Sequence, residues 1–463
     1  MVQKLSHRNY DVVVIGGGPA GVASAIAAAR NGAQTLLIDA GPLLGGDLLS
    51  GMPISGAINA HGEWVVGGVA RELFDECDKM NGFVGAFNEW IIHWLVCCDP
   101  EVMKLAIPKV LRRHNVSLLL YTFAEDVIVE GGQVKGIVVL NKNNRTLVTA
   151  KLFVDCSGDG DVAVMAGAPF EAGDEEGNFQ PVTLIFRMGG MEKEPLFDFI
   201  RKQPENIRIG ENPLFPDRTT CIENLIKQGH PRVIFGGKGP LLSEAIQSGE
   251  MYPTSLIGIS PVSRRSGEVC LNTTRIAHVN AIKTDVLSRT LPDLVDQVWM
   301  AVSFLKKNVP GFENAYFAGA APRIGIRETR RIMGEYILTG EDCIEGRKSE
   351  TGIARCCHDV DIHEEGTNQT RIPIKNGGSY DIPYGCIVPQ KLENVYVAGR
   401  CISSTREGNG SARAMGSSMA MGQAAGTAAA ICAAAGVSDV RHIKIDELRA
   451  TLKQQGAVLD GTH

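Results

Sequence analysis

The sequence predicts an α/β fold in which a parallel-stranded nucleotide-binding domain is interrupted by a second, α+β domain. Three observations predict it. Residues 10–39 read as strand, glycine turn, helix and strand; 152–161 read as a strand ending in glycines and acids; and a late strand at 394–400 is followed by a long helix of small residues. At 463 residues the chain exceeds the size at which one core keeps growing, so two domains are expected.

The run Val12-Val13-Val14-Ile15 suits a strand buried on both faces. Gly16, Gly18 and Gly21 then fill the three positions of a dinucleotide-binding turn. Gly16 permits the bend, Gly18 lets a pyrophosphate approach the backbone, and Gly21 lets the helix lie close to the sheet with its N-terminus toward the phosphates. Ala20, Ala23 and Ala27 support that packing. The second strand ends at Asp39, where a carboxylate accepts from ribose hydroxyls and repels a 2′-phosphate, so FAD or NAD is expected rather than NADP.

In the glycine-rich loop that follows, Gly45 and Gly46 would admit the middle of a cofactor against the backbone. Helices are expected over 69–80 and 101–114, and a parallel strand over 116–122. Segments 126–130, 134–140 and 146–150, separated by Gly131-Gly132 and Asn143-Asn144, read as a three-stranded antiparallel meander, with 152–156 a further parallel strand. From 167 to 384 the pattern turns to longer polar segments, a Pro-rich stretch at 204–216, strands at 183–188 and 267–272, and a helix over 291–305. The strand at 394–400 and the helix at 415–434 return the chain to the first domain. The expected division is 1–166, 167–384 and 385–463.

Composition narrows the function classes. The 53 glycines exceed the usual share of about 7%, which suits tight turns around a large ligand. A net charge of −6, from 46 basic and 52 acidic residues, leaves no basic footprint for nucleic acid or an anionic membrane. The apolar run 415–434 consists of Ala, Gly and Ser around Gln423, which reads as a buried helix and not a membrane span. Residues 1–9 are polar, unlike a secretory leader. Twelve cysteines form no disulfide framework and no Cys-x-x-Cys pair, so a cytoplasmic protein with reduced thiols and no metal site is expected.

Five stretches, taken together, resemble the FAD-dependent oxidoreductases of the glutathione-reductase-type superfamily, and within it the family related to fumarate-reductase flavoproteins. They are Gly16 to Gly21 with Asp39; Gly45-Gly46-Asp47; Asp155-Cys156-Ser157-Gly158-Asp159; Gly325-Ile-Arg-Glu-Thr-Arg-Arg; and Val397-Ala-Gly-Arg with the small-residue helix. The resemblance implies a Rossmann-like FAD-binding domain with an inserted substrate domain. Gly16, Gly18, Pro19, Ala20 and Gly21 would hold the pyrophosphate and Asp39, with Ala40 beside it, the ribose. Gly45, Gly46 and Asp47 would line the cofactor's centre, Ala124 would face adenine, and Ser157, Gly158 and Asp159 the adenosine side. Gly399 keeps the first position of the usual Gly-Asp pair, but Arg400 replaces the acid that meets the ribityl chain. Ser417, Ser418 and Met419 would contact the flavin ring, where a helix N-terminus stabilises the anion formed on reduction. Arg413 matches an arginine that binds a substrate carboxylate in those relatives.

Hydride transfer at a flavin needs a positioned substrate and a group to handle the accompanying proton. His358, Asp361 and His363 lie in one run, and in a strand Asp361 and His363 would share a face, so the carboxylate would orient the imidazole. Arg327, Arg330 and Arg331 have helical spacing and would present one cationic face. Tyr384, close to the chain's return, would offer a hydroxyl to a carbonyl. The expectation is noncovalent FAD exchanging a hydride with a small organic substrate, by oxidation of an alcohol or similar C–H bond. Reduction of an activated C=C bond and a non-catalytic FAD-fold scaffold are the alternatives. The electron partner, the reaction's direction and homo-oligomer formation are open at this stage.

Overall fold

The computed structural model describes residues 6–264 and 267–461. Five strands run parallel in the order Ser117–Leu119, Thr35–Ile38, Ser6–Ile15, Arg145–Asp155 and Val395–Val397. Val12, Val13, Val14, Leu36, Leu37, Phe153, Val154, Val395 and Val397 are buried completely, as strands covered on both faces require. The register sets up the site: Ile15 lies level with Ile38 and Asp155, and Asp155 level with Val397. The turns that begin at Gly16, Asp39, Cys156 and Ala398 therefore leave the sheet at one edge, the carboxyl edge at which open α/β sheets bind ligands.

The two strands expected at 146–150 and 152–156 are a single strand, Arg145–Asp155. Its first half pairs antiparallel with Gln133–Leu140, which pairs in turn with Phe123–Glu130, and this completes the meander. Its second half pairs with Val395–Val397. Lys151, which broke the apolar pattern, is exposed and ion-paired with Asp11 at 2.8 Å, so a charge there interrupts the pattern but not the strand.

Helices Pro19–Arg30 and Met415–Ala435 pack against each other on this sheet. A Cβ at Gly422 or Gly426 would lie 2.0 or 2.1 Å from the carbonyl oxygen of Ala20 or Ser24, which is the physical reason for the run of small residues. Among the described residues no helix is long and apolar enough to cross a membrane. Helix Pro100–Arg113 starts as its sequence dictates, with the Asp99 carboxylate accepting from the Glu101 and Val102 amides and proline at the first position.

A second core lies around an antiparallel sheet in the order Val233–Gly236, Leu256–Pro261, Val269–Asn272, Phe186–Gly189 and Tyr316–Ala320. Helix Thr284–Asn308 contributes Leu294, Val298, Ala301 and Leu305 to it. This helix starts before the expected 291 because Val286 and Leu287 also dock on that core. Leu338, Ile353, Tyr380, Ile382 and Ile387 pack into the first core instead. The arginines at 327, 330 and 331 do not share a helical face. Residues 326–329 are irregular, and Arg330–Ile332 is a strand paired with Phe170–Ala172, so successive side chains diverge.

Candidate functional site

At the carboxyl edge the glycine turn is built from the residues upward. Gly16 has φ +94°, and a Cβ there would lie 2.3 Å from the Cys156 carbonyl oxygen. A Cβ on Gly21 would lie 1.7 Å from the Gly16 carbonyl oxygen, whereas one on Gly18 would meet nothing within 4 Å. Gly18 thus opens onto the cavity while its neighbours are sealed against the sheet. Asp39 accepts from the Gly17 and Gly41 amides, both at 2.6 Å, and its carboxylate also lines the cavity. The Gly45 amide donates to the Gly17 carbonyl at 2.7 Å, and Gly46 lies close to the Gly18 backbone, so this pair supports the turn from below.

The cavity holds about 1830 Å³ of empty space, open solvent at its mouth included. It runs from Gly16 and Gly18 at one end to Asp361 and His363 at the other. Gly16, Gly18, Pro19, Ala20, Asp39 and Asp47 line one end; Ser157, Gly158, Gly399 and Arg400 continue the wall. Helix Met415–Ala435 starts at the same wall, with Ala414, Met415 and Ser418 in the lining. Its first-turn amides have no partner within the helix and favour negative charge. An open glycine, a carboxylate at the second strand end and a helix N-terminus further along one cavity form a donor set that fits FAD.

Several of the expected cofactor residues lie outside the cavity lining. Ser417 donates to the Ala412 carbonyl at 2.7 Å, and Met419 is packed in the core, so of the three flavin-ring candidates only Ser418 reaches the cavity. Gly21, Ala40, Gly45, Gly46 and Ala124 also lie outside the lining; Ala124 packs against the core that the meander shares. Asp159 is held by Arg400 at 2.9 Å and by Thr329 at 2.7 Å, so Arg400 binds that carboxylate and reaches the cavity alone. Tyr384 is a structural residue: its hydroxyl donates to the Val440 carbonyl at 2.6 Å and lies 2.8 Å from the Tyr396 hydroxyl.

The other end of the cavity is polar. Strand Val360–His363, paired with Gln369–Ile372, places Asp361, His363, Gln369 and Arg371 in the wall, with His358 just before it. His363 Nδ1 lies 2.5 Å from Arg275 Nη2, and a guanidinium only donates, so Nδ1 accepts and the Nε2–H donates to Asp361 Oδ2 at 3.1 Å. Burial pushes His363 down to about 3, so it is neutral with both nitrogens engaged. Burial works to raise the Asp361 carboxyl, but its contact with His363 and the charges of Arg371 and Arg413 hold it well below the usual range. His363 therefore positions Asp361 and is not itself free to exchange a proton. His358 Nδ1 donates to the Asp359 carbonyl at 2.7 Å.

Arg327 donates to the Pro181 carbonyl at 2.6 Å, and Arg413 to Gln180 Oε1 at 3.2 Å and the Asp361 carbonyl at 3.0 Å. Arg330 and Arg331, by contrast, are paired with Asp161 and Glu328. Four further residues of this wall, Glu89, His93, Arg232 and Arg371, escaped the sequence analysis. Their only signal was a glutamate and a histidine inside the bulky run 83–98, which forms two strands and a loop. Burial works to raise the Glu89 carboxyl; the groups around it, His93 together with Arg232 at 2.8 Å and Arg371 at 3.7 Å, outweigh it and hold the acid down at about 2.

Burial also pushes His93 down to about 4. Both histidines bind a proton near pH 6.5 when unfolded, so between that value and 3–4 the unfolded chain holds more protons and stability falls as pH falls. Each is expected to cost of order 2 kcal/mol between pH 7.5 and pH 5, measured as a lower urea midpoint. A flat midpoint over that range would show that the two imidazoles are not held neutral.

Residues 11–452 match the family described as FAD dependent oxidoreductase. The tRNA uridine 5-carboxymethylaminomethyl modification enzyme of Endomicrobium trichonymphae is 27% identical over 149 residues, which take in 29% of this chain and 23% of that protein. The matched part of this chain thus spans less than a quarter of that relative's length. A geranylgeranyl bacteriochlorophyll reductase-like protein from Thermoplasma acidophilum is similar over 98% of this chain and 85% of its own, with 14% identity and a TM-score of 0.47. The flavin-dependent brominase Bmp2 is similar over 96% and 83%, with 13% identity and a TM-score of 0.48. The match over residues 11–452 decides the family: this chain is a member of the FAD dependent oxidoreductases.

Proposed function

We propose that this FAD-dependent oxidoreductase exchanges a hydride with a small anionic substrate held at Arg327 and Arg413, oxidising an alcohol or similar C–H bond. One observation carries the reading. Both guanidiniums line the cavity, and among the described residues no carboxylate lies within 4.0 Å of either, or of Arg275 behind them. Burial and the charges of Arg275 and Arg413 push Arg327 down to about 9. Half-buried cations with no carboxylate beside them are suited to take a ligand carboxylate as partner.

Bound FAD would supply the hydride acceptor, and the chain's own residues do the rest. The glycine turn and Asp39 would hold the adenosine half, and the first turn of Met415–Ala435 would favour negative charge at the ring. Arg327 and Arg413 would orient the substrate at the polar end of the cavity. Asp361, locked by His363 and Gln369, would keep the arginines in place and water out. The likeness of Arg413 to the carboxylate-binding arginine of fumarate-reductase flavoproteins supports the same anion site, which would equally serve a C=C reductase.

Anaerobic mixing with a panel of 2-hydroxy acids tests the reading and its direction. A hydroxy acid is expected to bleach the flavin band near 450 nm, the property of the cofactor that reports a reductive half-reaction. If only unsaturated acids react, and they do so by reoxidising the reduced flavin, the direction is reversed. An enzyme whose flavin no acid reduces, reoxidises or perturbs has some other substrate class.

A further inference from the structure

The least satisfied group of the cavity wall is His93. It is 2% exposed, it lines the cavity, and neither ring nitrogen has a hydrogen-bond partner. A buried polar group left unpaired is destabilising, and here two atoms of one ring are in that state. The other two histidines of the wall differ: His363 has both nitrogens engaged, and His358 Nδ1 is tied to a carbonyl.

The loop carrying His93 is held firmly. It joins strands Phe83–Asn88 and Trp94–Cys98. Gly210 donates to the Trp90 carbonyl at 2.7 Å, and Asn212 binds the carbonyls of Ile91 at 2.8 Å and Ile92 at 2.7 Å. Trp90 has φ +55°, a left-handed conformation that a bulky residue adopts only when its surroundings impose it. The imidazole is thus placed in the wall by a rigid, strained loop.

The charges around it select the tautomer. Nδ1 lies 3.6 Å from Asp359 Oδ1 and 4.0 Å from Glu89 Oε1, beyond hydrogen-bond reach but within their field. Both acids are ionised against arginines, Asp359 with Arg371 at 2.7 Å and Glu89 with Arg232 at 2.8 Å. Two carboxylates beside Nδ1 favour the proton there and leave the lone pair on Nε2. His358, with its ring centre 5.2 Å away, completes the surroundings.

Building on the anion site proposed above, we propose that Nε2 of His93 accepts a hydrogen bond from a substrate hydroxyl, which makes the substrate a hydroxy acid rather than a plain carboxylic acid. The carboxylate goes to Arg327 and Arg413, and the hydroxyl to His93. A divalent metal is the competing ligand, because His93, His358 and Asp359 place ligand atoms within 4.8 Å of one another. The donor set disfavours it. Asp359 is spent on Arg371, and the ion would face the charges of Arg371 and Arg232.

The test is calorimetric binding to the FAD-loaded enzyme with its flavin reduced by dithionite, so that no alcohol is turned over. The probes are pairs that differ by hydroxyl groups: glycolate and acetate, lactate and propionate, malate and succinate, gluconate and hexanoate. In at least one pair the hydroxylated acid is expected to bind about tenfold tighter, the ratio that corresponds to roughly 1.4 kcal/mol. His93→Phe is expected to erase that preference while the plain acid's Kd stays within twofold. His93→Gln, which keeps an acceptor, is expected to retain part of it. Equal affinities within every pair, a preference that survives His93→Phe, or tight Zn2+ binding that His93→Phe abolishes would each overturn the assignment. If no acid binds at all, the anion site at Arg327 and Arg413 falls first, and the hydroxyl assignment with it.

Discussion

Gly21→Ala is expected to yield a colourless, destabilised protein. The added Cβ would be placed 1.7 Å from the Gly16 carbonyl oxygen and 2.8 Å from its carbon, and backbone cannot step aside as a side chain does. Helix Pro19–Arg30 must therefore lift off the turn, and the damage spreads to Met415–Ala435, which packs on it through Gly422 and Gly426. Overpacking of this kind costs about 1–3 kcal/mol, and FAD retention is expected to drop more than tenfold. Gly18→Ala separates the two consequences. Its Cβ meets no protein atom within 4 Å and its φ of −74° suits alanine, so the apoprotein should melt with the wild type. The methyl nonetheless enters the space assigned to the pyrophosphate, and FAD affinity should fall alone. Thermal melts of apoprotein and absorbance at 450 nm measure both. Wild-type FAD affinity in Gly18→Ala would mean that the pyrophosphate lies elsewhere.

The glycine turn was legible because its requirements are local. A dinucleotide turn needs small residues at fixed spacing after an apolar strand, and Gly16, Gly18, Gly21 and Asp39 show all of it within thirty residues. The meander was legible from Gly131-Gly132 and Asn143-Asn144, although the continuity of Arg145–Asp155 was hidden by one exposed lysine. The polar end of the cavity was legible only in part: His358, Asp361, His363, Arg327 and Arg413 stood out as candidates, but their meeting did not, because the wall assembles from distant segments. His93 comes from a hairpin loop, Arg232 from the second core, Asp361 and Arg371 from a two-stranded ribbon, and Arg413 from a break between helices. Periodicity also misled at 327–331, where helical spacing on paper is an extended segment in space. Tyr384 shows the same limit. A hydroxyl near a cofactor-domain boundary looked available, and only packing reveals that Val440 and Tyr396 consume it.

Removing a cation from the substrate end is expected to weaken ligand binding without weakening the fold. Arg327 contacts a neutral carbonyl, is repelled by Arg275 and Arg413, and is held at about 9 by burial and that repulsion. Asp361 and Asp47 attract it from a distance without outweighing burial and repulsion, so folding carries a charge that a bound anion would relieve further. Arg327→Met keeps most of the apolar stem and removes the charge, leaving one acceptor, the Pro181 carbonyl, without its donor. The gain from relieved repulsion and the loss of that hydrogen bond, about 1 kcal/mol, oppose each other, so the apoprotein's stability should hold or rise. Binding behaves differently. A charge-assisted hydrogen bond to a carboxylate contributes about 1.5–3 kcal/mol, so the Kd for acids should rise roughly 10- to 150-fold, and the Arg327→Met, Arg413→Gln double variant should rise further. Thermal melts with and without succinate read both effects: wild type should gain stability from the acid, and the variants should not. A variant that melts several degrees lower but binds succinate as wild type does would make Arg327 a structural cation, and the negatively charged substrate would have to be abandoned.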